Sequence, residues 1–170
     1  RDMGFEAIVA PLLAIKNLTP PVPNLASFAA LAFTSINGVA AFAALTPRRH
    51  LPVFAVGDAT AQAAHDAGFA NVRSASGDIH ALARLIAGAI ADADVLVPQA
   101  ETPAGDFTAA LAAAGARNVS IQSLTVYRAI ETSAEAPAPL DAVLIHSPRA
   151  GHALAKRGHD ALAHAVLACI

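Results

Sequence analysis

The chain has 170 residues, 55% of them hydrophobic and 14% charged, with a formal net charge of −2. A membrane span needs about 18–20 consecutive apolar residues; the longest apolar stretches here, such as Leu25 to Phe33 and Val39 to Leu45, are shorter and set among Ser, Thr, Asn and Gly. The charge provides no basic face for nucleic acid, and Cys169, the only cysteine, excludes an internal disulfide and a cysteine-based zinc site.

Arg1 to Glu6 hold no basic region followed by an apolar core, so no secretory signal is read and a cytoplasmic setting is expected. Gly4 reads as the C-cap of a helix lying mostly before residue 1, so the chain is expected to begin inside a domain. Glu6 to Ala10 is predicted as a strand. Pro11 to Leu18 is extended and apolar, and Thr19-Pro20-Pro21-Val22-Pro23 is too rich in proline for helix or central strand. Strands are then predicted at Ala29 to Phe33, Pro52 to Val56, Asn71 to Ser74, Asp94 to Val97 and Asn118 to Gln122. Helices alternate with them at Ile36 to Leu45, Ala59 to Ala67, Ile79 to Ala91 and Phe107 to Ala114. Ile79, Leu82, Leu85, Ile86 and Ala89 form one apolar stripe, with Asp78 as N-cap. Thr125 to Glu131 is extended again, and Ser133 to Pro139 is a loop. Asp141 to Ile145 (strand), Arg149 to Lys156 (helix), Asp160 to Val166 (helix) and Leu167 to Ile170 (strand) complete the chain.

Continuous apolar strands alternating with helices predict parallel sheets covered on both faces. Residues 22–123 read as one continuous, inserted α/β domain. Residues 1–18 and 131–170 read as parts of a discontinuous outer α/β domain, incomplete here. The segments 14–21 and 124–131 read as connector strands forming a hinge.

Four turns of small, hydroxyl-bearing or Gly residues follow strands and open helices. They are Thr34-Ser35-Ile36-Asn37-Gly38, Gly57-Asp58-Ala59-Thr60, Pro98-Gln99-Ala100-Glu101-Thr102 and His146-Ser147-Pro148-Arg149. Each leaves free backbone N–H groups at a helix start, beside hydroxyls, which suits carboxylate or phosphate. Several in one small chain point to a ligand with many negative groups. In the first turn Ser35 is read as a helix cap, which leaves other N–H groups free for a ligand. In the second, Asp58 is read as an N-cap, and Thr60 with the backbone as the ligand candidates. The third is read as mostly solvated loop. In the fourth, Ser147 stands at a strand end, and Arg149 offers either a forked carboxylate contact or a solvated surface charge.

Tyr127 is the only tyrosine. It is open between a proton donor in an interdomain cleft and an amphipathic residue packing a strand edge. The histidines lack an H-E-x-x-H spacing, and His65, His80, His152, His159 and His164 read as helix-surface residues, so no metal is expected. There is no G-x-G-x-x-G, P-loop or G-x-S-x-G motif.

Taken in order, GFEAIVAPLL (4–13), AFTSINGVAAF (32–42), PVFAVGDATAQAAHDAGF (52–69), VLVPQAETPAGDF (95–107), LTVYRA (124–129) and DAVLIHSPRAGHAL (141–154) resemble uroporphyrinogen-III synthase. The resemblance implies two flavodoxin-like, three-layer α/β domains joined by a two-stranded connector. It implies a lyase of tetrapyrrole and heme biosynthesis that cyclises hydroxymethylbilane to uroporphyrinogen III. Water is lost, ring D is inverted through a spiro intermediate, and no cofactor is required. On the family's pattern Tyr127 donates a proton to the departing hydroxyl. Thr34, Ser35, Asn37, Gly38, Gly57, Thr60, Ser147 and Arg149 contact the substrate. A cytoplasmic monomer, with transient contact to the upstream deaminase, is the implied setting.

The chain departs from the family's pattern in three places. An opening strand with an Arg-Pro turn is absent, only Glu131 to Pro139 fills the place of a helix, and the family continues past Ile170. These are read as missing segments. Two other readings share the architecture: a non-catalytic bilobed module binding an anionic small molecule, and a receiver-type signalling domain. Asp58 and Asp94 do not supply the acidic cluster the latter needs.

Overall fold

The computed structural model describes residues 6–134, 139–145, 147–156 and 165–169. The chain divides into two compact units, Lys16–Arg128 and the pair of segments Arg1–Ile15 and Ala129–Ile170.

The unit Lys16–Arg128 holds most of a six-stranded sheet in the order β1-β6-β5-β2-β3-β4. The strands are β1 (Leu13–Asn17), β2 (Ala30–Phe33), β3 (Val53–Ala55), β4 (Val72–Ser74), β5 (Ala93–Ala100) and β6 (Val119–Glu131). The helices are α1 (Ile36–Leu45), α2 (Asp58–Asp66), α3 (Ile79–Ala87) and α4 (Phe107–Ala113), with a 3-10 turn at Leu25–Ser27. From β4 to β6 the pairing is parallel. At the edge, Leu18 N–H donates to Val126 O and Thr132 N–H to Leu12 O. Numbers rise along β1 as they fall along β6, so this pair is antiparallel.

Period-two alternation divides the core between two faces. Leu31, Phe33, Val53, Leu96, Leu124 and Val126 pack with Val39 and Phe42 of α1 and Ala64 of α2. Ala30, Ala32, Phe54, Val95 and Val97 pack with Leu82 and Ile86 of α3 and Phe107 and Leu111 of α4. Burying one such Leu, Val or Phe side chain stabilises the fold by about 1.5–3 kcal/mol. On the first face Phe33 meets Phe42 edge-on at 5.9 Å and Phe69 at 6.0 Å between ring centroids. Arg49 ties the helix ends of this face together. It lies 4.9 Å from the Phe69 ring centroid and donates to Ala43 O at 2.9 Å and Ala67 O at 2.7 Å. A cation there meets the negative end of each helix dipole.

In the other unit β7 (Ala142–Ile145) pairs in parallel with β8 (Val166–Cys169), and α5 (Pro148–Lys156) follows β7. Ala153 of α5 is buried. Lys156 Nζ lies 2.7 Å from Glu131 Oε1. Among the described residues no helix is long and apolar enough to cross a membrane.

The mixed α/β class with a mostly parallel sheet holds, but several predicted elements shift. Residues 6–10 do not form a strand; the first strand starts at Leu13. β5 runs on to Ala100 through Pro98, which lacks an N–H but lies beyond the last pair β5 makes with β2, so no ladder bond is lost there. The third turn is therefore partly strand, followed by a loop before α4. The strands predicted at 118–122 and 124–131 are one element, β6. α2 is capped by Gly57, and Asp58 is its first residue rather than its N-cap. α3 ends at Ala87, ahead of Gly88. Gly4, His146, His159, His164 and most of the helix predicted at 160–166 lie outside the described residues. His65, His80 and His152 are exposed on helices.

Candidate functional site

Every parallel strand of the Lys16–Arg128 unit delivers its carboxyl end to one rim, where open α/β sheets bind ligands. The turn after β2 is a close-packed part of that rim. Ser35 has extended backbone (φ −160°, ψ 154°), and its Oγ accepts the Gly38 N–H at 3.1 Å, capping α1. A Cβ on Gly38 would stand 2.8 Å from the Pro98 carbonyl oxygen. Glycine is thus what lets the first turn of α1 settle against the end of β5. Thr34 and Ser35 are half-buried, Asn37 is exposed and Gly38 is buried.

Tyr127 reaches this turn from β6, across β5. Its direction depends on a bulge. Leu96 pairs with Gln122, Pro98 with Leu124 and Gln99 with Thr125, but Ala100 pairs with Tyr127, so Val126 is the extra residue. Before the bulge, odd-numbered Val119 and Ile121 face α3 and α4. Strict alternation would send Tyr127 there too. The extra residue turns it over, and Tyr127 packs with Leu124 and Val126 on the α1 face. Its hydroxyl then lies 2.9 Å from Ser35 Oγ.

The turn after β3 lies one strand further along, with Val56 N–H donating to Phe33 O. Gly57 caps α2 without a side-chain bond, which leaves first-turn N–H groups free. The Thr60 side chain is buried, at 5% exposure. Asp58 accepts the Ser74 hydroxyl at 2.6 Å and the Ser76 hydroxyl at 2.8 Å. These two bonds hold its carboxyl below the ordinary aspartate value. The turn after β4 is fixed in this way beside Gly57. Asp78 caps α3 through the Ala81 N–H at 2.9 Å, and that bond lowers its pKa as well.

Arg128 Nη1 is 3.9 Å from Glu101 Oε1, an exposed and weak contact. Its Nε is buried and has no hydrogen-bond partner among the described residues. In the other unit Ser147 Oγ accepts the Ala150 N–H at 3.2 Å, capping α5, and Arg149 is exposed. A separate depression walled by Ala26–Ala29, Asp92–Asp94, Asn118 and Ser120 opens on the opposite, amino-terminal rim of the sheet. It lacks the helix starts and the phenol, so the carboxyl-end rim is the better chemical site. Among the described residues no group of His, Cys, Asp and Glu is placed to hold a metal ion.

The structure thus brings Thr34, Ser35, Asn37, Gly38, Gly57, Thr60 and Tyr127 to one rim. Sequence reasoning missed Ser74, Ser76 and the bulge at Val126. The two serines carry a signal, hydroxyls just past a strand end; the bulge carries none, because Thr-Val-Tyr-Arg reads as plain alternation.

A family profile described as uroporphyrinogen-III synthase HemD matches residues 1–170. The fold is similar to the crystal structure of uroporphyrinogen-III synthetase from Helicobacter pylori, with a TM-score of 0.70 and 17% identity over 93% of this chain and 75% of that one. It is also similar to a mutant uroporphyrinogen III synthase from the extremely thermophilic bacterium Thermus thermophilus, with a TM-score of 0.59 and 17% identity over 99% of this chain and 76% of that one. No match is found among curated protein sequences.

Proposed function

The chain belongs to the uroporphyrinogen-III synthase family, and we propose that it performs the family's cyclisation on the carboxyl-end rim of the Lys16–Arg128 sheet. Membership makes it an enzyme of porphyrin and heme biosynthesis acting on a small-molecule tetrapyrrole. In the proposed reaction hydroxymethylbilane loses its terminal hydroxyl as water, which places the enzyme among the lyases. Ring D of the resulting azafulvene is attacked at its substituted carbon, and the spiro intermediate reopens and closes with ring D reversed.

The linear substrate closes unaided to the unreversed isomer, so the protein's task is orientation more than activation. Free amides in the first turns of α1 and α2 suit the substrate's acetate and propionate arms. Each charge-assisted bond is worth about 1.5–3 kcal/mol, so a few suffice to favour one conformation. Thr34, Ser35, Asn37 and Gly57 provide these contacts, while Gly38, whose N–H is given to Ser35 Oγ, is proposed to serve by letting the turn close against β5. At Thr60, whose side chain is buried, the contact falls to the amide. Arg149 and Ser147 are proposed as further carboxylate partners. Tyr127 donates its phenolic proton to the leaving hydroxyl. The enzyme is proposed to act as a cytoplasmic monomer, meeting the upstream deaminase transiently.

The observation that carries this reading is the Tyr127 hydroxyl held at the start of α1, 2.9 Å from Ser35 Oγ. The test supplies enzymatically generated hydroxymethylbilane to the protein, oxidises the product and resolves isomers I and III by chromatography. Enrichment of isomer III over the protein-free control is expected. Stable uptake without turnover would instead indicate a non-catalytic binding module.

A further inference from the structure

We propose that Ser35 is the positioning residue for Tyr127: it donates its hydroxyl proton to the phenolic oxygen and so leaves the phenolic proton free for the substrate. The inference rests on the function proposed above and adds the direction of one hydrogen bond. Ser35 Oγ already accepts the Gly38 N–H at 3.1 Å, and its hydrogen remains to be placed. The positive end of the α1 dipole turns that hydrogen away from the helix. The phenolic oxygen of Tyr127 stands 2.9 Å off to receive it. The amide bond into Oγ also makes the hydroxyl a stronger donor.

This order has a consequence for the chemistry. As the substrate's C–O bond breaks, its electron pair goes to oxygen, which takes the Tyr127 proton and leaves as water. The phenolate that remains faces the Ser35 O–H and, behind it, the start of α1. The proton shed from the pyrrole carbon at ring closure restores the phenol, so only water is lost overall. With the bond reversed, the phenolic proton would be spent on Ser35, and a hydrogen bond would have to break before each turnover.

Tyr127 is the only tyrosine and the chain has no tryptophan, so tyrosine bands in an ultraviolet resonance Raman spectrum report this phenol alone. The Fermi doublet of the full chain, without substrate, is expected to have the intensity ratio of a phenol that accepts a hydrogen bond. Ser35→Ala should abolish that signature and lower kcat by about 10- to 100-fold with little change in KM, the size of one bond to a charged oxygen. Ser35→Gly separates this from capping, since Gly serves as an N-cap almost as well as Ser; the same kcat loss is expected. Ser35→Thr should recover most of it. A parent doublet with the ratio of a phenol that only donates, or unaltered kcat in both Ser35→Ala and Ser35→Gly, overturns the proposal. An isomer ratio for the parent chain no different from the protein-free control removes the functional reading itself, whatever the doublet shows.

Discussion

Gly38→Ala tests how closely α1 must approach the end of β5. The added Cβ would stand 2.8 Å from the Pro98 carbonyl oxygen, 3.4 Å from Ser35 Oγ and 3.6 Å from Phe33 Cδ1. Carbon and carbonyl oxygen settle no closer than about 3.3 Å, so the first turn of α1 must rise by about 0.5 Å. Overpacking of this kind costs about 1–3 kcal/mol, and alanine returns up to about 1 kcal/mol of helix propensity. With the full return the net loss should be about 0–2 kcal/mol. The same displacement stretches the 2.9 Å contact between Ser35 and Tyr127 toward the limit of a hydrogen bond, so kcat should fall about 10-fold. Urea unfolding and the rate of isomer III formation measure the two effects. Gly88→Ala is the control: Gly88 has φ −80°, and its Cβ would meet nothing nearer than Arg84 O at 3.5 Å. A Gly38→Ala protein more stable than the parent, with undiminished kcat, would refute the close-approach argument.

Tyr127→Phe removes the proton donor but keeps the ring packing; kcat should fall by about 10- to 100-fold, at or below the lower range for general acids because the leaving group departs readily, with KM nearly unchanged in steady-state assays. Arg49→Met keeps an apolar stem but loses the bonds to Ala43 O and Ala67 O, and should lower stability to urea by about 2 kcal/mol. Asp58 is held below the ordinary aspartate value of 3.8 by Ser74 and Ser76. The folded state therefore binds this proton less readily than the unfolded chain. The associated stability is fully present above 3.8 and is lost as pH falls through the lower folded value. Asp58→Asn should accordingly destabilise the protein at neutral pH and lose that difference in strong acid, read by urea titrations at both pH values.

Much of the architecture is legible in the residues because its signals are local. Ser35 before Ile36–Leu45, Asp78 before Ile79, and Gly68 and Gly115 with positive φ after their helices mark element ends by capping chemistry alone. Where register decides, local signals fail. Nothing around Val97 announces that β5 continues to Ala100, because that depends on which neighbour pairs with it. The bulge at Val126 is likewise a property of two strands, and it alone brings Tyr127 to the α1 face. The sequence therefore nominates Tyr127 and Ser35 separately, and only the register makes them partners. Asp58 shows the same limit: it reads as a cap, but Ser74 and Ser76, distant in the chain, claim its carboxylate.

The central claim is that the tetrapyrrole's carboxylates rest on backbone amides at the carboxyl-end rim. Residue-resolved amide NMR of the protein titrated with uroporphyrinogen III tests it most directly. The account predicts saturable shifts at Ile36–Val39 and Asp58–Ala61. Shifts confined to the opposite rim, at Ala26–Ala29, Asn118 and Ser120, would contradict it.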